Sequence, residues 1–102
     1  LKSGLAIEPN SWFGHFQLGL TYFALKDYSN SADEFHRAEE LDPDFAEVHI
    51  RLANVYLRCG NPAMAFAEFE SYLKKDPKGR FAAQVRETLG EMRNAGTKPP
   101  PS

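Results

Sequence analysis

The sequence has few of the residues that would cross-link the chain or charge it strongly. Cys59 is the single cysteine, so no disulfide can form within the chain. Twelve Lys and Arg residues against fourteen Asp and Glu residues leave a net charge of −2, which gives no electrostatic attraction to phosphate backbones or anionic lipids. No apolar run approaches the roughly 20 residues that cross a bilayer. We therefore expect neither nucleic-acid binding nor membrane insertion.

Local signatures of catalysis are also missing. The sequence contains no Gly-rich phosphate loop, no nucleophile elbow and no cysteine paired with a histidine in a local motif. The acidic stretch from Glu39 to Asp44 is typical of a helix end that displays its charges to solvent. We therefore expect no enzymatic activity and no cofactor.

The composition is that of one small folded domain. With 102 residues, 42% of them hydrophobic and 25% charged, the chain resembles a soluble globular protein rather than a disordered one. A soluble protein is expected, with the cytoplasm favoured, although the sequence does not identify a compartment. Because the sequence begins with Leu1 rather than Met, we expect it to be a piece of a longer protein.

The chain contains an internal repeat. Pro9, Pro43 and Pro77 are separated from one another by 34 residues, which is a period typical of stacked helical hairpins. Shifting the sequence by this period superposes residues 12–45 on residues 46–79. The matched pairs are His15 with His49, Leu18 with Leu52, Gly19 with Ala53, Tyr22 with Tyr56, Ser31 with Ala65, Glu34 with Glu68 and Phe35 with Phe69.

Apolar and small residues at helical spacing predict two helices in each repeat. The predicted helices run from about Trp12 to Lys26, Ser29 to Leu41, Phe45 to Cys59 and Pro62 to Lys75. Small residues shared by both repeats indicate that the two helices of each pair approach closely.

The second repeat also carries clear helix-end signals. Asp44 and Glu47 have the spacing of a capping box at the start of its first helix. Gly60 can adopt the left-handed conformation that ends a helix, while Asn61 and Pro62 suit the N-cap and first position of the next helix. A tight turn between antiparallel helices is therefore predicted at these residues.

Three further segments flank the repeats. Residues 1–11 resemble the end of a preceding repeat, because Pro9 occupies the place of Pro43. Residues 80–94 form an amphipathic stripe, which predicts a capping helix that covers the last repeat. Residues 95–102 are rich in proline and are expected to form a disordered tail.

The repeated pattern resembles the tetratricopeptide repeat, a unit of two helices in 34 residues. The residues that carry the resemblance are Leu18, Gly19, Tyr22, Tyr28, Phe35, Ala38 and Pro43 in the first repeat, and Leu52, Ala53, Tyr56, Gly60, Ala65, Phe69 and Pro77 in the second. The resemblance implies an all-α fold of antiparallel helix hairpins stacked in a right-handed superhelix, an α–α solenoid. Departures from the pattern include His15, His49, Ser31, Pro62 and Tyr72.

The resemblance also implies a function in protein binding, because such repeats line a concave groove with the first helix of each hairpin. The groove residues implied here are Phe13, Phe16, Leu20 and Phe23 from the first repeat, and Glu47, Ile50, Asn54, Leu57 and Arg58 from the second. The expected ligand is a peptide or a helix of another protein.

The apolar stripe from Phe13 to Phe23 leaves other interpretations open. It could pack against an upstream repeat or an adjoining domain, or it could join two copies of the chain as a homodimer. The repeats could also be an accessory segment of a larger enzyme. His15 and His49 suggest a metal site only weakly, because helices one repeat apart are about 10 Å apart. We therefore expect these histidines to serve packing and expect no bound metal.

Overall fold

The computed structural model describes residues 11–101, and its regular secondary structure over this range consists of five α-helices. The helices are α1 (Trp12–Ala24), α2 (Tyr28–Leu41), α3 (Glu47–Arg58), α4 (Pro62–Lys75) and α5 (Ala82–Asn94). The prediction of an all-α helical repeat is confirmed. The predicted end of a preceding repeat, at residues 1–11, lies outside the described residues except for Ser11.

The chain divides into two compact units between Phe45 and Ala46. The first unit contains the hairpin of α1 and α2, and the second contains the hairpin of α3 and α4 followed by α5. The division falls at the boundary between the two sequence repeats. The right-handed superhelix and the disordered state of residues 95–102 stay predictions.

The turn between α3 and α4 follows the prediction closely. Gly60 has a φ of 76°, in the left-handed region, and the N–H of Asn61 donates to the carbonyl of Tyr56 at 2.8 Å. The Asn61 side chain caps α4 by accepting from the N–H of Met64, and Pro62 is the first helical residue. The predicted helix stop, N-cap and first helical residue are all confirmed.

The predicted capping box at the start of α3 is wrong. Ala46 is the N-cap of this helix, and no side chain caps it. The N–H of Phe45 donates to the carbonyl of Asp42 at 3.0 Å, which folds the residues after α2 into a turn. Asp44 lies inside this turn, so its carboxylate is not at the helix N-terminus even though its spacing to Glu47 is suitable.

Lys26 occupies the position in the first hairpin that Gly60 occupies in the second. It has a φ of 63°, and the N–H of the following Asp27 donates to the carbonyl of Tyr22 at 2.9 Å. The two turns therefore have the same hydrogen-bonding pattern, but in the first turn a side chain with a Cβ adopts the left-handed conformation. This conformation costs a non-glycine residue about 1–2 kcal/mol.

We expect Lys26→Gly to raise the free energy of unfolding by about 1 kcal/mol, because glycine adopts a positive φ without this steric cost. Urea denaturation followed by circular dichroism measures the change. Lys26→Ala is the matched control, since it removes the charge but keeps the Cβ. An equal gain in both variants would contradict the conformational explanation.

The first unit has a core built on close contact between its two helices. Gly19 of α1 lies directly against the ring of Phe35 of α2, where a Cβ would come within 2.5 Å of Cε1. Ser31, which is fully buried, donates its hydroxyl hydrogen to the carbonyl oxygen of Gly19 at 2.7 Å. The serine at this position therefore has a partner, and its burial does not leave a polar group unsatisfied.

The same histidine–glutamate contact joins the two helices of each hairpin. Nδ1 of His15 lies 2.6 Å from Oε1 of Glu34, and Nδ1 of His49 lies 2.7 Å from Oε1 of Glu68. Both histidines therefore help to hold a hairpin together, as a packing role requires. Among the described residues, no group of His, Cys, Asp and Glu is arranged to hold a metal ion.

The second unit attaches α5 to its hairpin through Tyr72. The Tyr72 side chain is 1% exposed, and its hydroxyl oxygen accepts the N–H of Phe81, just before α5, at 3.2 Å. Val85 and Leu89 of α5 then complete a buried cluster with residues of α3 and α4. Tyr72 takes the position that Ala38 has in the first repeat, and its larger side chain reaches the start of α5.

Candidate functional site

The apolar stripe of α1 is only partly available to a ligand. Phe13 is 53% exposed, whereas Leu20 and Phe23 are half-buried. Phe16 is 7% exposed, because its ring packs against the rings of Phe35 and Phe45 at centroid distances of 5.6 and 4.9 Å. The side chain of Phe16 therefore belongs to the core of the first unit, and the stripe is not the continuous apolar surface that the sequence suggested.

The second unit contains a groove between α3 and α5, which we call the α3–α5 groove. It has a volume of about 290 Å³. Its lining residues are Glu47, Ile50, Arg51, Asn54, Leu57, Phe69, Phe81, Gln84, Val85 and Thr88. The groove is thus formed by two helices that are both held against α4 in the same unit.

Four of the five groove residues expected in the second repeat line this groove. They are Glu47, Ile50, Asn54 and Leu57. Arg58 is exposed at the end of α3 and is not one of the lining residues. The structure thus brings most of the expected α3 residues to one concave surface.

The helical pattern did not point to the groove wall formed by α5 and its N-cap residue. The lining residues of this wall, Phe81, Gln84, Val85 and Thr88, lie one repeat period after Glu47, Ile50, Arg51 and Asn54. Extending the 34-residue register into α5, instead of treating this helix only as a cap, would have identified all four.

The interior of the groove is apolar with a neutral polar margin. Ile50 and Leu57 supply aliphatic surface, Phe81 supplies aromatic surface, and Leu57 is 41% exposed. Glu47 and Arg51 form an ion pair, with Oε2 and Nη2 separated by 2.8 Å. Because these two charges largely cancel, the polar groups that remain for a ligand are mainly uncharged donors and acceptors.

Asn54, Gln84 and Thr88 provide those uncharged groups from both walls of the groove. Amide and hydroxyl side chains can both donate to and accept from a peptide backbone. The arrangement therefore suits an apolar side chain together with the main chain that carries it.

No helix among residues 11–101 combines the length and apolar character needed to cross a bilayer. This finding is consistent with the short helices of the repeat, since the longest contain 14 residues.

Comparison with known proteins identifies the repeat. The family model described as TPR repeat matches residues 19–60, which extend from the middle of α1 to the turn after α3. A comparison with curated proteins gave no match. Repeats of this family generally mediate protein–protein interactions and are typically non-catalytic scaffolds. Over residues 19–60 the chain is similar to the tetratricopeptide repeat family, and the 34-residue period and the paired antiparallel helices agree with this similarity.

Proposed function

We propose that the protein binds a segment of a partner protein in the α3–α5 groove. The observation that carries this proposal is the concave apolar surface at Ile50, Leu57 and Phe81, bordered by uncharged polar side chains. Covering the exposed part of a side chain such as Leu57 contributes about 1 kcal/mol to binding. The polar side chains at the margin then orient the partner's main chain.

The size of the groove favours a peptide segment over a cofactor. Its volume of about 290 Å³ is just below the range of about 300–1,000 Å³ that is typical of small-molecule sites. A space of this size accommodates one or two side chains of a peptide. The rest of the partner would lie along the exposed surfaces of α3 and α5.

We also assign α5 a second role as the end cap of the last hairpin. In the repeat register, Arg86 and Glu87 correspond to Leu52 and Ala53, which are fully buried. Arg86 and Glu87 are instead exposed. A helix with charged residues at these positions is suited to face solvent, as the terminal helix of a repeat array must.

Replacing Leu57 tests the proposed groove. We expect Leu57→Gln to lose at least several-fold in partner capture from the source cell's lysate, because it removes apolar surface inside the groove. Leu41→Gln is the matched control, since Leu41 is 40% exposed and lies outside the groove. Circular dichroism must first show that both variants keep their helices.

Equal capture by both variants and the parent would contradict the groove as the binding site.

Self-association is the second candidate, because the large exposed side chain of Phe13 lies on the apolar stripe of α1. Light scattering distinguishes self-association from the binding of a partner in the groove. A dimer that persists in Leu57→Gln and disappears in Phe13→Gln would make α1 an assembly surface.

A further inference from the structure

We infer that the segment bound in the α3–α5 groove carries a large apolar side chain accompanied by carboxylates. This inference rests on the proposed function, since it describes the ligand of the same groove. It depends on where the positive charges of the second unit lie relative to the lining residues.

The second unit has an excess of positive charge. Its described residues, 46–101, include nine Lys and Arg residues against six Asp and Glu residues. The excess is concentrated in residues 74–80, which end α4 and form the turn before α5: Lys74, Lys75, Lys78 and Arg80 accompany a single acidic residue, Asp76. This turn leads directly into Phe81, which lines the groove.

Arg80 connects this positive turn to the groove wall. It is exposed, and its guanidinium carbon lies 5.0 Å from the centroid of the Phe81 ring. Stacking on an aromatic face holds a guanidinium in place while leaving its N–H groups available to a carboxylate. A ligand seated against Phe81 would therefore meet a positioned positive charge.

The acidic residues of the hairpin do not offset this charge at the groove, because Glu47 is the one among them that lines it, and Glu47 is paired with Arg51. Arg58 adds an exposed positive charge at the end of α3. Charge complementarity thus favours carboxylates next to the apolar side chain that enters between Ile50 and Leu57.

Titration of the full chain with three capped pentapeptides, followed by amide chemical shifts, tests the inference. The probes are Asp-Glu-Leu-Glu-Asp, Lys-Lys-Leu-Lys-Lys and Asp-Glu-Gly-Glu-Asp, each acetylated and amidated so that no terminal charge contributes. We expect the acidic peptide with leucine to bind most tightly and to shift the amides of Gln84 and Thr88. Gln84→Trp, which fills the groove mouth from an exposed position, is expected to abolish those shifts.

Two arginine variants then locate the charge effect. Arg80→Gln is expected to weaken binding of the acidic leucine peptide by about two- to fivefold at low salt, the range for an exposed ion pair. Arg93→Gln is the matched control, because Arg93 is also exposed and lies 5.3 Å from an aromatic centroid, that of Phe66, away from the groove. Raising the salt concentration is expected to remove the difference between the variants.

The other outcomes separate this inference from the proposed function. If the basic and acidic leucine peptides shift the groove amides equally, or if both arginine variants weaken binding equally, the acidic preference is wrong and the groove still binds peptides. If neither leucine peptide shifts the groove amides, the proposed function itself fails. A duplex oligonucleotide that shifts only residues 74–80 would assign the positive turn to nucleic acid and overturn the inference.

Discussion

Tyr72→Ala is expected to lower the free energy of unfolding by about 3–5 kcal/mol, the usual cost of removing a fully buried aromatic side chain. The Tyr72 ring packs beside the Phe81 ring at a centroid distance of 6.4 Å, and the Tyr72 hydroxyl oxygen accepts a hydrogen bond from the N–H of Phe81. The substitution leaves a cavity under α5 and removes the hydrogen bond at its start. Because small domains are stable by only about 5–15 kcal/mol, the loss is a large part of the total.

Tyr72→Phe separates the two contributions in the same urea denaturation experiment. It keeps the ring and removes only the hydroxyl, so we expect a loss of about 1 kcal/mol. A loss in Tyr72→Ala no greater than the loss in Tyr72→Phe would show that the ring is not required to hold α5 in place.

Gly19→Ala is the second substitution for which we expect a large change in the free energy of unfolding. Whether this free energy rises or falls distinguishes helix propensity from steric contact. Alanine in a helix interior is normally more favourable than glycine by about 1 kcal/mol. At Gly19, however, the new Cβ would meet Cε1 and Cδ1 of Phe35 at 2.5 and 2.6 Å. Because both helices must move or the ring must leave its position, we expect a net loss of about 1–3 kcal/mol, measured by urea denaturation.

A double-mutant cycle checks the proposed cause. Phe35→Leu removes the ring, so Gly19→Ala is expected to cost much less in that background than in the parent. Ala53→Gly, at the equivalent position of the second hairpin, is expected to cost about 1–2 kcal/mol, because it lowers helix propensity and removes a buried methyl group. If Gly19→Ala stabilises the parent, or costs as much without the ring, steric contact with Phe35 is not the reason.

The sequence predicted the helices well where strong local signals marked their ends. The bounds of α4 were predicted correctly, because Asn61 and Pro62 mark its start and an inter-repeat proline follows its end. The start of α3 was predicted two residues early, since nothing in the local pattern shows that Phe45 closes a turn onto Asp42. Helix ends that depend on a backbone turn are not encoded by spacing alone.

The resemblance to the repeat family, rather than the sequence pattern by itself, pointed to the α3 wall of the groove through Ile50 and Leu57. The 34-residue register, extended by one period from Ile50, locates Gln84 of α5. Phe16 shows the limit of helical periodicity. Its position on the helix face is correct, but the ring of Phe45, which is distant in the sequence, covers it.

The histidine–glutamate contacts have a consequence for how quickly the chain folds. Each joins residues only 19 positions apart, and each lies inside one hairpin. Proteins whose contacts are mostly local fold rapidly, on the order of microseconds to milliseconds, because little loop-closure entropy is lost before the contacts form. A hairpin with its own short-range contact can form before distant segments of the chain meet. Folding can therefore begin in either half of the chain.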